Sequence, residues 1–164
     1  MKLLLRLGLV STLLTAAVSG AQTQAPRQPV VNPHGVHAHI YPPVEQARAD
    51  IAHAIELARK TGKHVLLDFG ADWCGDCQVL NLYFHQPPNE MLLNKYYIEV
   101  PVNIGRMDAN LDIAHKYGVP VTGVPALAVL DGHGKVLVAQ DTQFADMRYM
   151  QSSAVTEFLN RWKP

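Results

Sequence analysis

The chain has 164 residues, 48% of them hydrophobic and 17% charged, so it can build a packed core and is not disordered as a whole. Its acidic and basic residues balance at 14 each, which argues against a nucleic-acid-binding protein. The length suits one domain of ordinary size once an N-terminal leader is set aside.

The N-terminus has the pattern of a secretory signal peptide over residues 1–21. Lys2 and Arg6 supply a positive start, residues 7–18 form a short apolar stretch, and small residues end at Ala21. An uncleaved membrane anchor is the alternative, but residues 7–18 are fewer than the roughly 20 apolar residues that a membrane span needs. We therefore expect cleavage near Ala21 and a periplasmic or secreted protein.

The next part of the chain passes from an irregular segment into regular elements. Residues 22–43 are rich in Pro and His and lack periodicity, which predicts an extended arm or linker. A helix is predicted from Val44 to Gly62, because apolar residues recur on one helical face and the glycine ends it. An apolar strand is expected over 64–70, and a helix over 74–85 that Pro87 and Pro88 stop.

The remaining pattern predicts a helix over 89–96, a strand over 98–104, a helix over 111–117, two strands over 126–130 and 135–139, and a last helix with an apolar stripe at Val155, Phe158, Leu159 and Trp162. Asp108 or Asn110 can cap the helix over 111–117. The turn at 131–134 (Asp-Gly-His-Gly) joins the two strands as a hairpin. This order predicts one α/β domain over 44–164, with parallel strands first and antiparallel strands last.

Cys74 and Cys77 are the only cysteines of the chain and lie at the predicted start of a helix. There the two sulfurs can bond, and the unpaired N–H groups of the helix favour the thiolate of Cys74. Outside the cytosol such a pair is oxidised unless something reduces it. The pattern predicts a reversible dithiol/disulfide centre that needs no further cofactor, with Cys74 exposed and Cys77 one turn deeper. Half of a zinc site is the alternative, but it needs two more ligands at suitable spacing.

Three segments resemble the thioredoxin superfamily: residues 67–77 (Leu-Asp-Phe-Gly-Ala-Asp-Trp-Cys-Gly-Asp-Cys), residues 116–119 (Lys-Tyr-Gly-Val) and residues 123–127 (Gly-Val-Pro-Ala-Leu). The resemblance covers about residues 45–163 and implies a thioredoxin-like α/β fold, with a central mixed β-sheet flanked by α-helices. Within an exported protein, residues 71–74 are most similar to the periplasmic thioredoxin-like domain of DsbD-type reductases and their small secreted relatives.

The resemblance also implies roles for four residues. Cys74 would be the nucleophile and Cys77 the resolving thiol. Asp68 would be the buried carboxylate beneath them, and Pro125 the cis-proline that faces the disulfide. Protein disulfides would be the substrates, and a membrane electron carrier of the DsbD kind would supply electrons.

Asp68 has apolar neighbours on both sides in the predicted strand. A charged, unpaired carboxylate there would cost several kcal/mol, so burial should raise its pKa. Such a group can accept the proton of Cys77 as that thiol attacks a mixed disulfide. The alternative is that Asp68 faces outward at the end of the strand.

Two departures from thioredoxin concern the charges at the site. Asp76 stands where thioredoxin has proline, and residues 101–103 (Pro-Val-Asn) stand where thioredoxin has the lysine that pairs with its buried aspartate. A negative charge at Asp76 disfavours the thiolate of Cys74 and so makes the pair a better reductant. Alternatively, the Asp76 side chain is solvated and has little effect.

Three further residues are candidate substrate contacts beside Asp76. Trp73 precedes the nucleophile and is expected to cover one side of the disulfide, although it can equally be a core residue. Gly75 lies between the cysteines. If Pro125 is cis, the main chain of Val124 is free to pair with an incoming substrate peptide.

His34, His37 and His39 form a cluster in the arm that can bind copper or zinc, or can simply be solvated, and we assign no metal to it. We therefore predict an exported, monomeric disulfide reductase that acts on proteins. The alternatives are a disulfide-forming or isomerising oxidoreductase, a copper-binding thiol chaperone, and a binding module that keeps the fold without turnover.

Overall fold

The computed structural model describes residues 38–164, and every structural statement below concerns that range. The predicted signal peptide over 1–21 lies outside the described residues, as do residues 22–37 of the predicted arm. The same holds for His34 and His37 of the histidine cluster.

The described chain contains all the predicted helices and strands, with ends that differ from the prediction by a few residues. They are α1 (Ala47–Thr61), β1 (His64–Gly70), α2 (Gly75–Phe84), α3 (Asn89–Tyr96), β2 (Tyr97–Asn103), α4 (Leu111–Lys116), β3 (Ala126–Leu130), β4 (Val136–Gln140) and α5 (Ser152–Trp162). Short 3-10 turns precede α1 at Val44–Gln46 and α5 at Met147–Tyr149. Within residues 38–164, no helix combines the length and the apolar character needed to cross a bilayer.

The four described strands form one mixed sheet in the order β2-β1-β3-β4. β1 runs parallel to β2 and antiparallel to β3, and β3 pairs antiparallel with β4 through the predicted hairpin. The predicted change from parallel to antiparallel strands is therefore confirmed. β1 has a partner on each side and is buried from Val65 to Gly70. In this register Asp68 lies between Pro101 of β2 and Leu127 of β3.

Apolar side chains cover both faces of the sheet. One face packs against α1 and α4, with Ile51, Ala54 and Ala58 contributing the buried stripe of α1. The other face packs against α2, α3 and α5, and Phe158 and Leu159 belong to that cluster. Side chains alternate between the faces of a strand, so β1 sends residues to both clusters. The helical stripes read from the sequence are thus the core-facing stripes of the fold.

The predicted signal at the end of α1 is confirmed, and the predicted cap at the start of α4 is not. Gly62 ends α1 with a left-handed φ of 72°, and its N–H donates to the Ala58 carbonyl at 2.8 Å. Asn110 precedes α4 but makes no side-chain cap, so the prediction of a capping bond is wrong. Its amide instead donates to the carbonyls of Val44 at 2.9 Å and Asn103 at 2.8 Å. These two bonds connect the start of the domain to the end of β2.

Asn89 is a buried polar side chain that periodicity does not reveal. It is fully buried, and its amide donates to the Tyr83 carbonyl at 3.0 Å and the Ser152 hydroxyl at 3.1 Å. The Thr156 hydroxyl donates to its side-chain oxygen at 2.6 Å. Asn89 therefore fastens the start of α3 to the end of α2 and to the first turn of α5.

Replacing Asn89 with alanine leaves several buried polar groups without partners, so we expect Asn89→Ala to lower the free energy of unfolding by about 2 kcal/mol. Urea denaturation followed by circular dichroism measures the loss. Asn94→Ala is the matched control, because Asn94 is exposed on the same helix. Equal stabilities of the two variants would contradict a structural role for the Asn89 amide.

Candidate active site

Cys74 and Cys77 form a disulfide at the start of α2. Cys74 is the N-cap residue, and the two sulfurs are bonded at 2.20 Å with their Cα atoms 5.2 Å apart. The Cys77 N–H donates to Cys74 Sγ at 3.1 Å. Cys74 Sγ therefore occupies the place of a capping oxygen, where the orphan N–H groups of the first helical turn stabilise negative charge on a thiolate.

One of the two cysteines is less accessible than the sequence predicts. Cys77 is fully buried, but Cys74, which was expected to be exposed, is only 4% exposed. Tyr41 packs against both cysteines, and Ile40 and Val124 add to this small cluster. Cys77 has no exposed surface and Cys74 keeps a small one, so Cys74 is the more accessible of the two cysteines in this conformation.

Asp68 is buried behind the disulfide, being 1% exposed. Its Oδ2 accepts a hydrogen bond from the Tyr41 hydroxyl at 2.8 Å, and its Oδ1 has no hydrogen-bond partner among residues 38–164. Burial, and secondly the nearby Glu99, raise the pKa of Asp68 to about 8, although the Tyr41 bond opposes the rise. The predicted burial and raised pKa are confirmed, and the outward-facing alternative is wrong. The role of Asp68 as proton acceptor stays a prediction.

Tyr41 is the site residue that the sequence does not predict. It lies in the segment assigned to the arm, yet it is fully buried. Thioredoxin's lysine has no counterpart at Pro101, which is the β2 partner of Asp68, and Tyr41 supplies the hydrogen bond to the carboxyl instead. Burial, followed by the charge of Asp68, raises the pKa of Tyr41 well above its ordinary value. A usable signal existed, because Tyr41 is the only Phe, Trp or Tyr in residues 22–43.

Residues 38–43 form a strap that lies against the active-site turn, and Asp72 is its main anchor. Asp72 Oδ1 accepts from the N–H groups of Ile40 at 2.8 Å and Tyr41 at 3.0 Å, and its Oδ2 lies 2.6 Å from His39 Nδ1. Burial alone would raise the pKa of Asp72, but these three hydrogen bonds outweigh it and the pKa is lowered. A charged Asp72 therefore fixes the strap beside the cysteines.

Two amide side chains add to the attachment of the strap. Gln78 of α2 accepts from the Ala38 N–H at 3.1 Å and donates to the Ala38 carbonyl at 3.0 Å. Asn103 at the end of β2 donates to the Pro42 carbonyl at 2.9 Å. The strap is thus bound to α2 and to the end of β2.

Asp76 is neither solvated nor unpaired. It is 8% exposed, and its Oδ1 accepts from the backbone N–H and the Nε of Arg148, each at 3.0 Å. The alternative of a solvated Asp76 is therefore wrong. The guanidinium offsets the carboxylate, so the effect of Asp76 on the Cys74 thiolate is smaller than that of a free negative charge.

Trp73 lies on the surface beside the site. The residue is 43% exposed, its Nε1 donates to the Gly105 carbonyl at 2.7 Å, and the Arg106 guanidinium lies 5.8 Å from the ring centroid. The alternative that Trp73 is a core residue is wrong. Its contact with substrate stays a prediction.

The loop before β3 brings the proline region to the disulfide. The Val124–Pro125 peptide bond is cis, as the resemblance implies, and the Val124 carbonyl oxygen lies 3.6 Å from Cys74 Sγ. Gly75 is half-buried, and a side chain at that position would meet only open space. Substrate contacts at Val124 and Gly75 stay predictions.

Within residues 38–164, no group of three or more His, Cys, Asp or Glu side chains is arranged to hold a metal ion. His39 pairs with Asp72 in this range. His34 and His37 lie outside it, so metal binding by the histidine cluster stays open.

The sequence matches a family described as thioredoxin-like over residues 46–132, which is more than half of the chain. The chain belongs to the thioredoxin-like family. A thiol:disulfide interchange protein DsbD from Pseudomonas fluorescens is 29% identical over 136 residues, which are 82% of this chain but 21% of that protein. A thioredoxin from Chlorobaculum thiosulfatiphilum is 35% identical over 75 residues, 46% of this chain and 62% of that one.

The crystal structure of a disulphide isomerase from Xylella fastidiosa Temecula1 superposes with a TM-score of 0.72 at 29% identity, covering 77% of this chain and 98% of that one. The predicted thioredoxin-like fold is therefore confirmed. The disulfide between Cys74 and Cys77 lies within the residues that match the thioredoxin-like family. The chain spans only about a fifth of the DsbD protein that it matches.

The raised pKa of Asp68 determines whether this thioredoxin-like domain becomes more or less stable as pH rises. The oxidised native state keeps the Asp68 proton up to about pH 8, whereas the unfolded chain releases it near the ordinary value of 3.8. Between these values the native state binds more protons, so its free energy of unfolding should fall as pH rises, by the order of 5 kcal/mol over the window.

Denaturation of the oxidised protein at a series of pH values measures this slope. Asp68→Asn, which keeps the shape of the side chain, should remove most of it. Asp131→Asn is the control, because hydrogen bonds from the Lys135 and His133 N–H groups lower the pKa of Asp131 and its contribution is lost only in acid. An unchanged slope in Asp68→Asn would show that Asp68 ionises normally.

Removing Arg148, the partner of Asp76, should change the ionisation of the Cys74 thiol. In Arg148→Ala the buried Asp76 charge is no longer offset, so we expect the pKa of the Cys74 thiol in the reduced protein to rise. The pH dependence of alkylation by iodoacetamide measures that pKa. Arg161→Ala is the control, because Arg161 pairs with Glu157 on α5. Identical alkylation profiles for both variants would mean that the ion pair does not act on Cys74.

Proposed function

We propose that this chain is an exported thiol–disulfide oxidoreductase that reduces disulfide bonds in other proteins. The proposal rests on the arrangement of the disulfide, with Cys74 at the start of α2, and of Asp68, which is buried and bonded to the tyrosine that packs against both cysteines. Cys74 keeps a small exposed surface and Cys77 keeps none, and Asp68, a group able to take a proton, is buried as well. This arrangement suits a two-step exchange of electrons with another disulfide.

In the first step the reduced Cys74 thiolate attacks a substrate disulfide. A bond forms between Cys74 Sγ and one substrate sulfur, and the other substrate sulfur leaves as a thiolate. The Cys77 N–H, which lies 3.1 Å from Cys74 Sγ in the disulfide, and the other N–H groups of the first turn of α2 favour the attacking thiolate.

In the second step Cys77 attacks Cys74 Sγ and the mixed disulfide breaks. The Cys77 proton passes to Asp68, the disulfide re-forms, and the second substrate sulfur leaves as a thiolate, so two electrons have passed to the substrate. Asp68 suits this task because its pKa of about 8 is close to that of a thiol and near the working pH. An external dithiol must then reduce the disulfide before the next turnover.

The charges around Cys74 support the reducing direction. Strongly oxidising centres stabilise the thiolate, and a cation beside it is one way to do so. Here Arg148 is already bound to Asp76, so the ion pair adds no net positive charge next to the sulfur. The similarity to a DsbD protein supports a donor of that kind, and the signal-like N-terminus supports export.

Disulfide isomerisation is the second candidate, favoured by the likeness to the Xylella disulphide isomerase. The two activities need different sulfurs. A reductase needs Cys77 at every turnover to release its substrate. An isomerase can attack with Cys74 and leave when a substrate thiol attacks in turn, so that Cys77 serves only as an escape route.

The variant Cys77→Ser separates the candidates. A reductase should lose at least about a hundredfold of its insulin-reducing activity with dithiothreitol as donor, because resolution becomes intermolecular. Its mixed disulfide with insulin should also accumulate. Refolding of scrambled ribonuclease is the parallel assay, and Cys74→Ser should be inactive in both. Retention of isomerase activity by Cys77→Ser, with little insulin reduction by the unaltered protein, would reject the reductase.

A further inference from the structure

We propose that Tyr41 is a positioning residue for the resolving step: its hydroxyl, carried by the strap, holds one oxygen of Asp68 and leaves the other free to take the Cys77 proton. The inference rests on the proposed two-step exchange at Cys74 and Cys77. It assigns a role in that chemistry to residues 38–43, which lie N-terminal to the match with the thioredoxin-like family.

The two oxygens of the Asp68 carboxyl have different surroundings. The Tyr41 hydroxyl donates to Oδ2 at 2.8 Å, whereas Oδ1 is buried and accepts no hydrogen bond within the described chain. A carboxyl group rotates readily about its last bond unless a partner holds it. The single bond from Tyr41 therefore fixes which oxygen is occupied and which is available.

The Tyr41 hydroxyl also lies close to the resolving sulfur. Gly70 follows Asp68 by two residues on β1, and a Cβ built on it would overlap the Tyr41 hydroxyl and lie 2.9 Å from Cys77 Sγ. The phenol and the sulfur thus share the space that a side chain at Gly70 would fill. Tyr41, Asp68 and Cys77 consequently meet on one side of β1.

The main chain of the strap is bound to the active-site turn. The Tyr41 N–H donates to Asp72 Oδ1 at 3.0 Å, and Gln78 is bound to Ala38 of the strap. Both anchors lie within two residues of a cysteine, at either end of the active-site turn. The hydroxyl therefore keeps its position relative to the disulfide and not merely to the sheet.

Charge determines how removal of the hydroxyl should act. Asp68 is influenced by the charge of Glu99 from β2 and by the Tyr41 hydroxyl from the strap, and Asp72 lies near Tyr41 on the strap side. The Tyr41 bond lowers the pKa of Asp68, against burial and Glu99, which raise it. Without the hydroxyl, a smaller fraction of Asp68 is charged at neutral pH, so resolution should slow there and recover in alkali.

Ellman's reagent separates the two steps in one stopped-flow trace. Cys74 attacks the reagent and releases a first thionitrobenzoate, leaving a mixed disulfide on Cys74. Cys77 then attacks Cys74 Sγ, its proton passes to Asp68, and a second thionitrobenzoate leaves as the protein disulfide forms. The rate of the second phase, recorded across pH, reports resolution alone.

Tyr41→Phe should slow the second phase about tenfold near pH 6 and bring it to the rate of the unaltered protein above about pH 10, with the first phase unchanged. Tyr97→Phe is the matched control, because that buried hydroxyl donates to the Leu159 carbonyl at 2.6 Å, away from the site. It should alter stability without changing either phase. In an Asp68→Asn background, Tyr41→Phe should have no further effect on resolution.

A second phase that is unchanged in Tyr41→Phe, or slowed equally at every pH, would overturn the role of Tyr41. So would an equal further loss in the Asp68→Asn background. These outcomes are independent of insulin reduction by the unaltered protein, which tests the proposed function by itself. A protein that fails to reduce insulin but shows the expected Tyr41 profile would reject the reductase and keep the inference.

Discussion

The burial of one carboxyl group, that of Asp68, is the constraint on which the rest of the site depends. Strands on both sides of β1 and the strap behind it keep water away, so the charged form is disfavoured and the pKa of Asp68 lies near 8. A carboxyl in water would be charged at neutral pH and too weak a base for a thiol. Placed here, it becomes a group whose proton affinity is close to that of Cys77.

The surrounding structure divides the chemistry between two sulfurs. The start of α2 stabilises a thiolate at Cys74, which retains a small accessible surface. Cys77 is fully buried. Asp76 and Arg148 form an ion pair beside the first sulfur, so the charge next to it is nearly balanced. The strap completes the buried side through Tyr41. Each of these features affects a different step, which is why their removal should have separable effects.

Local patterns predicted most of the fold and the centre of the site. Apolar periodicity located every helix and strand of the described chain, and the spacing of two cysteines before a helix predicted the disulfide. The apolar neighbours of Asp68 predicted its burial, since a side chain within a strand that is buried on both faces has no path to solvent. What the sequence did not reveal depends on partners far along the chain. Tyr41 lies 27 residues from Asp68, and Arg148 lies 72 residues from Asp76. Such pairs arise from tertiary packing, which no local period records.

The proton affinity of Asp68 can be measured directly. With ¹³C-labelled aspartate, nuclear magnetic resonance follows the side-chain carboxyl of Asp68 in the oxidised protein as pH changes, and Asp68→Asn assigns the signal. The structure predicts a midpoint of about 8, far above the ordinary value of 3.8. A midpoint near that ordinary value would contradict the account, because the carboxylate would then hold no appreciable affinity for the Cys77 proton.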